Sequence, residues 1–441
     1  MFFNSILRKF QMLLKPVYDR SFVLKKIDEL VFINIILLII FSTVCQSDFI
    51  SYFAIISILL TFIKLITKPN EHFFMTTADK FLLIYFLTVL ISVAGSSLFA
   101  YSLKGFMKTL IYLGFYISLV HYLKDNKNKI KYILLTIAGM CALESLVAIK
   151  QNFLSVSEIS GWQDVSRLNP EQVMTRVYGT LKPYNPNLFG GYMLAALPAN
   201  LVLIFLPLLN KHYKTATLGL GALLLSAITL VLTGCRGAYI GLFFELIVLG
   251  LLTYKYLKPA YKKLFLTISS ILSAIGVLII LSSSSLKARI LSIFAMRSDS
   301  SNSFRFNVYN SCIQMFKDNW ILGIGVGNQN FREIYGLYMK TGFDALSAYN
   351  IYLETAVESG IFALLSFVTF LGVNIYRAIK HIFNKKTINN FYLIIALVSL
   401  TGILTHGIVD TVFFRPQIQF LFWIMVAIIR VITISKAKKH A

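Results

Sequence analysis

About twelve apolar stretches, each close to the length a helix needs to cross a bilayer, leave this chain few folds to adopt. A helix covers the roughly 30 Å hydrocarbon core with about 20 apolar residues. Helices also satisfy their own backbone polar groups, which lipid cannot do for them. The stretches run over residues 29–45, 49–66, 80–99, 106–123, 132–149 and 188–209 in the first half of the chain. The second half adds 216–234, 238–257, 264–282, 360–376, 391–408 and 418–434. The expected fold is therefore all-α, a polytopic integral membrane protein of about 12 transmembrane helices. Composition agrees: 57% of the 441 residues are hydrophobic and 14% are charged, more apolar surface than a soluble domain can hide.

Lysine and arginine set the expected topology, since basic residues collect in the cytoplasmic connections of membrane proteins. The N-terminal segment carries Arg8, Lys9, Lys15, Arg20, Lys25 and Lys26. Every second connection then carries a basic group, beginning with Lys64, Lys68 and Lys80 and ending with Lys436, Lys438 and Lys439. Only an even number of spans keeps this alternation, so both termini are expected on the cytoplasmic side. The net charge of +23 is then mostly a topology signal and argues against a nucleic-acid partner, which would need the charge on one soluble face. Residues 1–28 alternate Phe, Ile and Leu with Arg and Lys in the manner of an amphipathic helix lying on an anionic leaflet. Cys45, Cys141, Cys235 and Cys312 are scattered, and the six histidines do not cluster. Neither a disulfide framework nor a metal site is expected, and no cofactor.

Two connections on the opposite side are long, about 153–187 and 283–359. In the first, Asn185-Pro186-Asn187 reads as a turn launching the next helix, with Asn187 as the expected N-cap. In the second, Phe304, Val308, Cys312 and Phe316 recur every four residues, the pattern of an amphipathic helix over the membrane surface. The following Gly323-Ile-Gly325-Val-Gly327-Asn328 lacks the preceding strand of a dinucleotide loop and fits a bend between surface helices.

The same connections hold the arginines that break the basic alternation: Arg176, Arg236 and Arg305. Each has a plain reading as a helix-end charge reaching the interface. Each also suits phosphate, because a guanidinium stays charged and bonds oxygens in pairs. Glu144 and Glu245 fall inside apolar spans, while Glu354 and Glu358 share one face beside the tenth. Carboxylates there need partners, so pairing of Glu354 and Glu358 with the arginines is expected, with the general-base role on an acceptor hydroxyl as the alternative. His406 reads as a helix-end residue more readily than as a base.

Several segments, taken together in order, carry a family resemblance. They are Arg176-Val-Tyr-Gly179 leading to Asn185-Pro-Asn-Leu-Phe-Gly-Gly-Tyr192, Leu232-Thr-Gly-Cys-Arg236-Gly-Ala238, and Phe304-Arg305 followed by Trp320-Ile-Leu-Gly-Ile-Gly325. Ser347-Ala-Tyr349-Asn350, Leu353-Glu354 and Glu358-Ser-Gly360 complete the set. Over residues 174–408 the chain resembles the O-antigen ligase and polymerase superfamily, and is most similar to a branch labelled as bicarbonate transporters. The resemblance implies a GT-C-like, metal-independent glycosyltransferase of the bacterial inner membrane. It would move a glycan from an undecaprenyl-diphosphate carrier to a glycan or lipid acceptor at the periplasmic face. It implies that Arg236 and Arg305 hold the diphosphate with Arg176 in support, that Glu354, Tyr349 and Glu358 are the catalytic candidates, and that Asn185, Asn187 and Asn350 contact substrate. The resemblance also divides the chain into 29–152 as N-terminal spans, 153–410 as the ligase-like core and 411–441 as a last span with a basic tail. Ligases of the family carry His where this chain has Tyr349, and a phenol of ordinary pKa near 10 is a weak base at neutral pH. Either Glu354 takes that role, Tyr349 only positions the acceptor, or no ligation occurs. A small-anion transporter and a non-catalytic lipid-linked glycan binder remain open alternatives.

Overall fold

The computed structural model describes residues 2–153, 176–384 and 387–434. Most of the first long connection lies outside them, as do Lys385, Lys386, Lys436, Lys438 and Lys439. Among the described residues every regular element is a helix, and twelve helices are long and apolar enough to cross a membrane.

Helix α1 (Phe2–Arg20) lies against α3 (Ser47–Thr67), where the buried Gln11 donates Nε2 to the carbonyls of Leu65 (2.8 Å) and Glu71 (2.9 Å). Ile6, Phe10, Leu13 and Val17 stay exposed along it, which fits the amphipathic segment read from the sequence. The spans α2 (Ile27–Val44), α3, α4 (Thr77–Ala94), α5 (Phe99–Leu123) and α6 (Ile130–Gln151) follow. The sixth span is α7 (Pro186–Ala196) continued through a 3-10 turn into α8 (Leu201–Leu209). The chain continues with α9 (Tyr213–Leu232), α10 (Arg236–Tyr256) and α11 (Pro259–Ser282). The surface helices are α12 (Ser284–Leu291), α13 (Ser300–Asp318) and α14 (Asn328–Tyr335), and the last spans are α15 (Ile351–Asn384), α16 (Asn389–His406) and α17 (Pro416–Thr433).

Two helices mark the extremes of burial. Nearly every residue of α17 is buried, between α5, α7, α15 and α16. Its Arg430 meets Asp79 of α4 at 2.9 Å, a pairing that a charge this deep requires. Helix α11 buries none of its residues, and its one sustained packing partner among the described residues is α12. All of α11 is therefore available to lipid.

Residues 176–185, α12–α14 and their connections lie at the same end of the bundle, here called the connection face. There α13 buries Val308, Cys312 and Met315 against Ile324, Phe331, Ala348 and Val357, so the connection has a core of its own. This is the amphipathic helix expected from the four-residue recurrence, with Phe304 and Phe316 at its margins.

That cap is fastened to the bundle at a break in α15. Gly360 sits at φ 77°, ψ 177°, a region essentially closed to other residues. The break frees backbone groups, and the glycine-containing bend satisfies them. Ile361 N–H donates to the Trp320 carbonyl at 2.8 Å, while the carbonyls of Val357 and Glu358 accept from Ile324 (3.0 Å) and Gly325 (2.9 Å). Ser92 of α4 adds a 2.6 Å bond to the Glu358 carbonyl. On α5, a Cβ at Gly105 would collide with the Val326 carbonyl, so this glycine lets the bend lie directly on the helix. The expected tenth span, 360–376, thus begins at the break, and α15 extends nine residues before it.

Candidate functional site

The site is assembled around the Thr233–Arg236 turn that joins α9 to α10. Arg176, arriving just before α7, donates Nε to the Thr233 carbonyl at 2.8 Å. Arg289 of α12 donates Nε to the Gly234 carbonyl, also at 2.8 Å. Arg236 opens α10 and turns outward to Asp299 (2.9 Å) and the Ser292 hydroxyl (3.1 Å). Three guanidinium groups from separate parts of the chain therefore converge on one turn at a helix N-terminus, where the exposed N–H groups favour anions. Two glycines make the approach possible: the Arg176 side chain lies over Gly234, and His406 over Gly237.

Asp410, whose charge acts on Arg176, pairs with a fourth arginine. Its Oδ1 accepts from the N–H groups of Thr411 (2.7 Å) and Val412 (3.2 Å), and its Oδ2 lies 3.6 Å from Arg305 Nη2. Arg305 Nε is buried and has no hydrogen-bond partner among the described residues. Its guanidinium stands 5.8 Å from the Tyr349 ring, which packs edge-on to Phe304. Tyr349 has φ +51°, unusual for a bulky residue and common where a site over-determines the backbone. His406 closes the group from α16, with Nε2 3.6 Å from the Cys235 sulfur.

Electrostatics follow from this crowding. Burial, then the like charges of Arg176 and Arg236, push Arg289 down to about 10. Burial likewise lowers Arg176, and the like charge of Arg236 adds to this, while Cys235, Tyr239 and Asp410 favour its charge. For Tyr349, burial and then the Asp410 carboxylate raise the phenol above its ordinary value against the opposing charge of Arg305. At neutral pH its hydroxyl is even less ionised than that of a phenol in water, so little phenolate is available to act as a base.

Glu354 and Glu358 do not pair with the arginines among the described residues; Asp299 and Asp410 do. The reason is positional. Both glutamates lie before the break in α15 and are held by backbone N–H groups, Glu354 Oε2 from Ala348 at 3.0 Å and Glu358 Oε1 from Gly327 at 2.8 Å. They line a cavity of about 300 Å³ between α4, α5, the glycine-containing bend and α17. Glu354 thus has the cavity on one side and, through Ala348, the Tyr349–Arg305 pair on the other.

The asparagines have local duties. Asn185, not Asn187, caps α7, its Oδ1 accepting from the N–H groups of Asn187 (2.8 Å) and Leu188 (3.4 Å). Proline fits the first helical position because the N–H it lacks has no partner there, and this moves the cap to the residue before it. Asn187 Oδ1 instead accepts from Arg176 Nη2 at 2.6 Å and orients it. Asn350 caps α15 through bonds from Tyr352 (2.9 Å) and Leu353 (3.0 Å). The two buried carboxylates of the spans also separate: Glu144 accepts from Thr180 N–H at 2.9 Å, whereas Glu245 Oε1 has no partner among the described residues.

Arg289, Asp299 and Asp410 were not singled out from the sequence. The signal for Arg289 was present, since it is another arginine in a connection expected to lack basic residues. The two aspartates lie outside the quoted motifs and had none.

Residues 221–368 match the family model described as O-antigen ligase. An uncharacterized protein of Haemophilus influenzae is 27% identical over 212 residues, covering 45% of this chain and 51% of that protein. The chain therefore spans about half the length of that relative.

Proposed function

We propose that this member of the O-antigen ligase superfamily transfers a glycan from undecaprenyl diphosphate to an acceptor hydroxyl, with the connection face toward the periplasm. The observation that carries the reading is the convergence of Arg176, Arg236 and Arg289 on one turn, with Arg305 paired to Asp410, whose charge acts on Arg176. All of these but Arg176 and Asp410 fall inside the matched segment, as do Tyr349, Glu354 and Glu358. Crowded, desolvated cations are matched to a ligand that brings several negative oxygens. Arg289 keeps its terminal nitrogens, and Arg305 its Nε, without protein partners among the described residues. The polyprenyl tail would enter alongside α11, whose lipid-facing surface carries α12 and Arg289 at its end.

In the reaction, the acceptor oxygen forms a bond to the anomeric carbon while the bond from that carbon to the phosphate oxygen breaks. The electron pair departs onto the diphosphate, where the arginines stabilise the developing charge. The acceptor proton passes to Glu354, which borders the cavity, and is later released to water. Tyr349 stays protonated, so its role is to position the acceptor through its hydroxyl.

Purified protein in liposomes, given an undecaprenyl-diphosphate-linked glycan and acceptor, tests this. Arg236→Ala and Arg305→Ala should each lower transfer by roughly a hundredfold or more. Undiminished transfer in both would overturn the site. Binding of the lipid-linked glycan with no transfer by the unaltered protein would instead favour a binding protein, in line with Tyr349 standing in for the family His.

A further inference from the structure

The cavity beside Glu354 and Glu358 carries two charges that the transfer reading does not use. Lys104 and Lys108 of α5 both line it. They are four residues apart, so they share one face of the helix. Counted from Phe99 at 1.5 Å per residue, they lie roughly 8 and 14 Å along α5 from the connection face. A lysine at that depth is costly unless it faces water or a partner. Neither makes an ion pair or hydrogen bond among the described residues, and both are exposed. The nearby carboxylates do not neutralise them, because Glu354 and Glu358 are engaged by backbone N–H groups at the opposite wall.

Tyr112, Phe413 and Trp423 contribute aromatic side chains to the rest of the lining, beside the aliphatic Leu113 and Val326, and Gln329 and Thr109 add hydrogen-bonding groups. Flat aromatic faces suit the C–H face of a pyranose ring, amides and carboxylates suit its hydroxyls, and a lysine pair suits an anionic substituent. At about 300 Å³ the cavity sits at the small end of ligand pockets, fitting one or two sugar rings better than a longer chain.

We infer that this cavity is a sugar site selective for a pyranose bearing an acidic group, a carboxylate or phosphate, held by Lys104 and Lys108. Its place as the acceptor subsite rests on the transfer reading; its binding preference does not. Bound there, the sugar's hydroxyls face Glu354, and its acidic group lies toward α5.

The test uses the full-length protein in phosphatidylcholine nanodiscs, titrated with methyl glucuronide and methyl glucoside. The uronide should bind roughly tenfold more tightly or better, the equivalent of about 1.4 kcal/mol. The preference should weaken as salt rises, survive in K104R/K108R and disappear in K104Q/K108Q. Equal binding of the two sugars by the unaltered protein would overturn the inference without any variant. Binding of inorganic phosphate or of phosphatidylglycerol, with no uronide binding, would overturn it in favour of a plain anion or lipid headgroup site. Uronide binding without transfer would leave the cavity assignment standing and count only against the transfer reading. Transfer with no sugar preference would do the reverse.

Discussion

Arg289→Ala separates a ligand-binding arginine from a structural one more cleanly than any other change at the site. In the protein, Arg289 spends one donor on the Gly234 carbonyl and is crowded by Arg176 and Arg236. Truncation removes that bond, worth about 1 kcal/mol, while relieving like-charge repulsion, so unfolding should shift by no more than about 1 kcal/mol. Binding is different. The terminal nitrogens are aimed at no protein group among the described residues, and a charge-assisted bond to a phosphate oxygen contributes about 1.5–3 kcal/mol. Affinity for undecaprenyl diphosphate should therefore fall roughly 10- to 150-fold. Arg289→Lys keeps the charge but loses the planar fork, so it should fall between the two. Titration of the lipid into nanodisc-held protein, alongside thermal unfolding without ligand, reads both quantities. Unchanged affinity together with a large loss of stability would refute the reasoning and make Arg289 a packing residue.

Gly360→Ala places a Cβ against the Ile321 carbonyl at a backbone conformation that costs other residues about 1–3 kcal/mol, so thermal unfolding should occur at lower temperature; an unchanged midpoint would mean the break relaxes freely. Glu354→Gln keeps the shape of the side chain but cannot take a proton, and transfer should drop by roughly a hundredfold or more with diphosphate binding intact. Retention of transfer would move the base elsewhere. Tyr349→Phe should lower transfer modestly and leave its pH profile unaltered between about pH 6 and 9, because the raised phenol pKa keeps the hydroxyl protonated across that range. Loss of an ionisation from the profile would instead make Tyr349 the titrating group.

Much of the architecture was legible because lipid imposes it. Twelve spans follow from segment length and apolarity alone, and the α13 surface helix from a four-residue recurrence. Boundaries and partners were less accessible. The extent of α15 before Gly360 depends on hydrogen bonds from the bend at 320–325, which no local pattern records. The cap of α7 fell two residues early because Pro186 takes the first helical position. Arg176, Arg236 and Arg305 could be singled out as charges on the wrong side of a topology. Their carboxylate partners could not, since Asp299 lies in a surface turn and Asp410 follows α16, far along the chain. For the same reason Glu354 and Glu358 were expected to pair with arginine, when their helix directs them into a cavity.

The central claim is that the four arginines receive a lipid diphosphate. Its most direct test is a cryo-electron microscopy structure of the protein in nanodiscs with undecaprenyl diphosphate. The account predicts the two phosphates over the Thr233–Arg236 turn, in contact with Arg176, Arg236, Arg289 and Arg305, and the tail leaving along α11. Phosphates bound elsewhere, with the arginines unchanged around an empty turn, would contradict it.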